Sequence, residues 1–344
     1  LPEPVISKSQ GGRAPRTPDE QTVADVFAEV LGVTAVGAED SFFDLGGHSL
    51  LAVRLVTRLS ERLGRPVTVT DLFDRPTPEL LATTTTDGAR ENAASVMLPL
   101  RSDGARPPLF CVHPGGGFGW CYAGVPRMLG DGRPVHAFQA RGLDGRRDAI
   151  LPGTLSEMAA TYLDHARELQ PTGPLHLMGW SLGGVVAHAM AVEAQRRGEE
   201  VGALIMLDSY PAPDLGDDVT AAVEDFADVE ALTAEAIGPD LTAGQLLGIG
   251  GENGDGHAEA VLRRVVTNNL RLLARHRPEV FHGDALLVPA ALEPVPGGPR
   301  SRWAPYVTGE LAVAPVRSTH GELLAAEHSE ALGEALRNWL GRGL

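Results

Sequence analysis

From Pro108 onward the chain alternates two kinds of apolar segment, and this alternation restricts its fold more than any other feature. Short continuous runs, "LFCVHP", "VHAFQA", "LHLMGW", "ALIMLD", "ALLVPA" and "LAVAPVR", have the length of strands buried on both faces. Between them, "LSEMAATYLDHARELQ", Leu182 to Arg197 and His328 to Leu340 place apolar residues three and four apart, which puts one apolar stripe on a helix. A parallel pair of strands needs a crossover long enough to hold a helix, so the alternation predicts a mostly parallel sheet with helices on both faces over 97–344.

One stretch breaks the pattern. Residues 211–277 hold helical segments and the glycine-rich "GIGGENGDG" but no strand, as expected of an insertion that covers a site like a lid. Residues 214–260 carry twelve Asp or Glu and no Lys or Arg, in a chain whose net charge is −16. A solvated helical face and an acidic surface for a cationic substrate or partner both fit this run. The negative balance argues against a nucleic-acid partner. No run approaches the roughly 18 apolar residues of a membrane span, so no membrane partner is expected. Cys111 and Cys121 are too few for a disulfide framework and suit buried free thiols in a reducing cytoplasm.

The sharpest chemical signal is Gly179-Trp180-Ser181-Leu182-Gly183, a G-x-S-x-G directly after one predicted strand and directly before a helix. A strand-to-helix turn this tight leaves little room for side chains beside the serine, which is why glycines flank it. A serine hydroxyl is a weak nucleophile and needs a base. In strand–elbow–helix hydrolases the partners follow in the order Ser, Asp or Glu, His. Asp208 closes the next strand, on the same sheet edge. His257, His276, His282, His320 and His328 come later; His320, in "STHGELL" between the last strand and the last helix, has the expected place. The developing oxyanion needs two N–H donors. Leu182 supplies one, and Gly115 in "HPGGG" the other. No Lys-Ser/Thr follows that glycine loop, so a phosphate cradle is the weaker reading. No metal is expected.

The N-terminal part has another grammar. Residues 1–17, rich in proline and with adjacent glycines, read as an extended linker. "DEQTVADVFAEVLG" and Ser49 to Leu63 read as helices stopped by glycine, "DLFDRPT" as a short turn, and the region near Pro78 to Thr84 as a last helix. This makes a small helical unit over 18–86. The polar "TTTTDGARENAAS" places an interdomain linker at 87–96. Within the unit, "DSFFDLGGHSLLA" leads into a helix through two glycines. Ser49 suits a helix N-cap, but that role explains one residue and not the whole motif.

"DSFFDLGGHSLLA" resembles the attachment site of peptidyl carrier domains of nonribosomal peptide synthetases, over about residues 18–86. His48 in place of an aspartate makes it similar to peptidyl rather than polyketide carriers. "FCVHPGGG", "FQARGLDG" and "GWSLGG" resemble signatures of the terminal thioesterases of the same systems, over about 97–342. The resemblance implies a small all-α four-helix carrier followed by an α/β-hydrolase with a helical lid. It implies 4′-phosphopantetheine carried covalently on Ser49, added by a separate phosphopantetheinyl transferase. It implies a Ser181–Asp208–His320 triad that takes up a peptidyl substrate and releases it by hydrolysis or cyclisation. "LPEP…GGRAPRTPDE" resembles the linker after an adenylation domain, so upstream condensation and adenylation domains in one longer cytoplasmic polypeptide are expected. The alternatives are a stand-alone serine esterase acting on diffusible esters, and a non-catalytic docking module.

Overall fold

The structure is a computed structural model that describes residues 13–47, 49–65, 67–83, 96–143, 146, 149–212, 243–247, 254–293 and 295–342. The chain divides into two compact units, 1–95 with 237–259 and 96–236 with 260–344. Residues 1–12 of the expected N-terminal linker, His48, residues 87–95 of the interdomain linker, and 213–242 and 248–253 of the expected lid lie outside the described residues.

In the N-terminal unit, α1 (Pro18–Leu31) starts where the Thr17 hydroxyl accepts the Glu20 N–H and stops at Gly32, in a left-handed conformation. α2 spans Ser49–Leu63. The expected turn at "DLFDRPT" is instead largely a third helix, α3 (Val69–Asp74). Its brevity hid it: Thr68 and Asp71 close a capping box that sustains a helix too short to show an apolar period. α4 (Pro78–Ala82) completes the unit. Val23, Phe27, Phe42, Leu55, Leu59, Leu72 and Leu81 are fully buried between these helices. The glycines before Ser49 have separate structural reasons. Gly46 has φ +100°, and a Cβ on Gly47 would sit 2.3 Å from the Phe42 ring.

The second unit is built on a seven-stranded sheet of order β1-β3-β2-β4-β5-β6-β7. The strands are β1 (Met97–Arg101), β2 (Leu109–Val112), β3 (Val135–Phe138), β4 (Leu175–Trp180), β5 (Val201–Leu207), β6 (Ala285–Val288) and β7 (Leu311–Val313). All neighbours pair parallel except β1, an antiparallel edge strand on β3. The continuous apolar runs serve two cores. Phe110, Val112, Leu177, Leu204 and Leu287 pack under α6 (Leu155–Leu169) and α7 (Leu182–Arg196). Leu109, Cys111, Met178, Ile205 and Leu286 face the other way, toward α5 (Val125–Leu129) and α11 (Ser329–Leu340). Of the described helices of the insertion, α8 (Ala243–Leu247) falls in the first unit and α9 (Gly254–Arg275) runs from residue 260 in the second, where α10 (Pro299–Trp303) precedes β7. Both cysteines are free; Cys111 is buried as expected, whereas Cys121 is only partly so.

Three histidines are walled into this unit. His113 meets Tyr162, His176 meets the buried Arg133 guanidinium, and His188 meets the Tyr306 carbonyl. Burial pushes each imidazole down to about 4, aided at His176 by the Arg133 charge. All three stay neutral in the folded protein while the unfolded chain protonates near 6.5. Their contribution is complete above pH 6.5 and is lost as pH falls from 6.5 toward 4. Each histidine steepens the loss by up to about 1.4 kcal/mol per pH unit. Urea midpoints should therefore drop from pH 7 to pH 5; a flat profile refutes this account.

Candidate active site

Ser181 sits in the one-residue turn between β4 and α7, with φ +57° and ψ −127°. Among the described non-glycine residues only Ser181 and Asp208 have positive φ, a strained conformation retained where surrounding structure enforces it. Three glycines let the turn close. A Cβ on Gly179 would lie 2.0 Å from the Gly183 backbone, one on Gly183 2.1 Å from the Val112 carbonyl, and one on Gly184 2.4 Å from the Ser209 hydroxyl. The turn is pinned to the next strand, because the Ser181 N–H donates to the Leu207 carbonyl at 3.0 Å. Leu182 opens α7, so its N–H is one of the four amides a helix start leaves without an intrahelical partner.

Asp208 follows β5 directly, at the same sheet edge. Its Oδ2 accepts from His320 Nδ1 at 2.7 Å, and its Oδ1 accepts the Tyr210 hydroxyl at 3.0 Å and the Ala290 N–H at 3.1 Å. Burial alone would raise this carboxyl, but the hydrogen bonds from His320, Ala290 and Tyr210 outweigh it and hold the pKa below the usual value. Burial and the Asp208 charge push the Tyr210 phenol up, so it stays a donor. His320 lies on the loop after β7, which is laced to the loop after β6: Ala291 N–H donates to Val316, Leu292 N–H to Ser318, and the His320 N–H to the Glu293 carboxylate at 2.7 Å. The Trp180 indole rests against the His320 ring, centroids 5.2 Å apart. The structure thus joins two of the three residues expected from the sequence by a hydrogen bond, and carries the third next to the Trp180 ring that touches His320.

The "HPGGG" loop leaves β2 at the same edge. The Pro114 carbonyl takes two donors, His113 Nδ1 at 2.8 Å and the Gly117 N–H at 3.0 Å. A carbonyl only accepts, so Nδ1 carries the His113 proton and Nε2 accepts from the Tyr162 hydroxyl, 2.8 Å away. The carbonyl and N–H of a trans peptide point opposite ways, so pinning Pro114 C=O aims the Gly115 N–H away from His113. The buried Tyr122 hydroxyl donates to the Val112 carbonyl at 2.6 Å and accepts the Trp180 N–H at 2.7 Å, tying the start of this loop to the residue before Ser181.

The other histidines fall elsewhere. His282 meets Thr308, and His276 follows the end of α9, its backbone N–H donating to the Leu272 and Leu273 carbonyls. His328 precedes α11 without a side-chain cap bond. Glu322, Glu327 and His328 could gather donors around a cation, but they form a surface cluster of mostly exposed groups. Ser49 is the first residue of α2, whose first turn contains no carboxylate; the Ser49 side chain lies outside the described residues. Among the described residues no helix is long and apolar enough to cross a membrane. Tyr122, Tyr210 and Glu293 make hydrogen bonds at this site that sequence reasoning missed.

Residues 107–245 match the thioesterase domain family, and residues 21–84 match the phosphopantetheine attachment site family. A dimodular nonribosomal peptide synthase of Bacillus subtilis is 40% identical over 98% of this chain and 15% of its own length. Enterobactin synthase component F of Escherichia coli K12 is 31% identical over 99% of this chain and 26% of its own. The chain therefore spans only a small part of these relatives. Among solved structures, a four-domain nonribosomal peptide synthetase bound to AMP and glycine is similar over 98% of this chain and 27% of that one, at 28% identity and a TM-score of 0.62. The NocB thioesterase domain, in covalent complex with a fluorophosphonate nocardicin G analogue, covers 69% of this chain and 96% of its own, at 28% identity and a TM-score of 0.53.

Proposed function

Because the chain belongs to the phosphopantetheine-attachment and thioesterase domain families, joined as they are in nonribosomal peptide synthetases, we propose that it releases a peptidyl chain from its own carrier domain through Ser181. The observation that carries this reading is the 2.7 Å His320–Asp208 hydrogen bond at the sheet edge where the glycine-relieved turn presents Ser181. Ser49 fits the attachment role: it opens a 15-residue helix with no carboxylate in the first turn, and a phosphodiester gains from a helix N-terminus. The 4′-phosphopantetheine arm supplies a terminal thiol that holds the peptidyl chain as a thioester.

His320 Nε2 takes the proton from Ser181 Oγ as that oxygen attacks the peptidyl carbonyl. The Gly115 and Leu182 N–H groups receive the oxyanion. Collapse breaks the carbon–sulfur bond, His320 returns its proton to the departing sulfur, and the peptide stays on Ser181 as an ester. His320 then deprotonates a second nucleophile, water or a hydroxyl or amine of the peptide itself, which displaces Ser181 and frees an acid or a ring. Asp208 holds Nδ1 protonated throughout, so that Nε2 can accept. Upstream adenylation and condensation domains and a phosphopantetheinyl transferase are the partners this scheme requires.

The test is to incubate the protein with a phosphopantetheinyl transferase and a peptidyl coenzyme A, then weigh protein and products. We expect one arm added at Ser49, none in Ser49→Ala, and peptide released only when Ser181 is present. No mass gain, or a gain that persists in Ser49→Ala, overturns the carrier assignment.

A further inference from the structure

The loop that carries Gly115 presents a problem of rigidity. An oxyanion donor works only when held in place before the charge develops, because reorienting it during the reaction costs what its hydrogen bond gains. Yet residues 115–117 are three consecutive glycines, the residue type with the most backbone freedom. Gly117 is held by its surroundings: it has φ +91°, and a Cβ there would lie 2.9 Å from the Ala140 side chain. At Gly115 no neighbour presses in this way: among the described residues a Cβ there would meet Leu270 alone, at 3.9 Å. Steric crowding thus does less to select its backbone angles, and hydrogen bonds do more.

Two peptide groups flank Gly115. The one before it is fixed by His113 and Gly117 through the Pro114 carbonyl. The one after it is fixed from the insertion: Asn269 on α9 donates its side-chain N–H to the Gly115 carbonyl at 3.0 Å. Asn269 is 2% exposed, so this bond is made without competition from water. The helix that brings it is itself anchored beside the loop. Asn268 donates to the Pro152 carbonyl at 3.1 Å, Arg264 donates to the Ala149 carbonyl, and Val265 lies next to Gly117 and Gly142.

We propose that Asn269 is a positioning residue of the oxyanion site: by locking the Gly115 carbonyl from the insertion helix, it fixes the backbone that holds the Gly115 N–H. The proposal rests on the reading of Ser181, Gly115 and Leu182 given above. It makes the insertion part of the catalytic apparatus rather than a cover alone, since movement of α9 moves the donor that stabilises the transition state. Because that donor acts on the oxyanion and hardly on the ground-state carbonyl, its loss falls on kcat and not on KM.

The experiment compares the 344-residue protein with Asn269→Leu, close in volume but without a donor, and Asn269→Asp, which sets a carboxylate oxygen against the carbonyl. Three quantities are measured: kcat and KM for a butyryl N-acetylcysteamine thioester, the rate of Ser181 phosphonylation by a fluorophosphonate, and the thermal midpoint. We expect kcat and the phosphonylation rate to fall together by about 10- to 100-fold in both variants, with KM changed less than about threefold. The fall persists at temperatures where both variants are fully folded. Unchanged kcat and phosphonylation, or losses that follow only the unfolded fraction, overturn the proposal. Failure of the wild-type protein to label at Ser181 overturns the underlying reading first, and is distinguishable because no variant is needed to see it.

Discussion

On the proposed mechanism, replacing Ser181 with alanine is expected to lower the release of a carrier-bound peptide by roughly 10⁶-fold, the loss seen when a serine hydrolase loses its nucleophile. Ser209, the residue after Asp208, does not substitute: it is fully buried and its hydroxyl lies against Gly184. The variant should be about as stable as the parent, since alanine keeps the Cβ and with it the strained φ of +57°. The measurement is single-turnover release from the loaded carrier, with a denaturation curve as control. A residual rate within tenfold of wild type would sink the assignment of Ser181.

Asp208→Asn gives the second largest effect, a loss of roughly 10⁴-fold in kcat. The size follows from how the two carboxylate oxygens are used. Oδ1 already accepts two donors, the Tyr210 hydroxyl and the Ala290 N–H, so the amide oxygen of an asparagine must occupy that side. Its NH₂ then faces His320 Nδ1, where the native Oδ2 accepted at 2.7 Å. A donor there forces the proton onto Nε2, and His320 can no longer accept from Ser181. Geometry is preserved while the tautomer is reversed. Steady-state kinetics with an unchanged denaturation midpoint would show it, and activity within tenfold of wild type would mean that Asp208 does not orient the base.

The parallel sheet was legible because both faces of each central strand are buried, which turns strands such as "LHLMGW" into unbroken apolar runs. β1 escaped notice for the opposite reason. An edge strand paired on one side, "MLPLR" contains a proline and an arginine that only an edge tolerates. The places of Ser181, Asp208 and His320 after β4, β5 and β7 could be read out because the sequence marks strand ends. Tyr122, Tyr210, Glu293 and Asn269 could not. Apart from Tyr210, they act on backbone groups, and a backbone carbonyl or amide leaves no residue type to recognise. Asn269 lies 154 positions from the glycine it holds, and nothing in "VVTNNLRLL" distinguishes it from its neighbour Asn268. The glycines before Ser49 show the same limit: nothing in "DLGGHSLLA" reveals that the Phe42 ring leaves no room for a Cβ on Gly47.

The strand order also governs when the site is complete. β4, with Ser181 at its end, pairs in the middle of the sheet, whereas His320 follows β7, the outermost parallel strand. Asp208 and His320 are 112 residues apart in the chain. A polypeptide leaving the ribosome therefore presents Ser181 and Asp208 long before the histidine that Asp208 binds. A chain ending before β7 would keep the residues of the glycine-relieved turn but lack the loop that carries His320, so the hydrogen-bonded pair is the last part of the site to be synthesised.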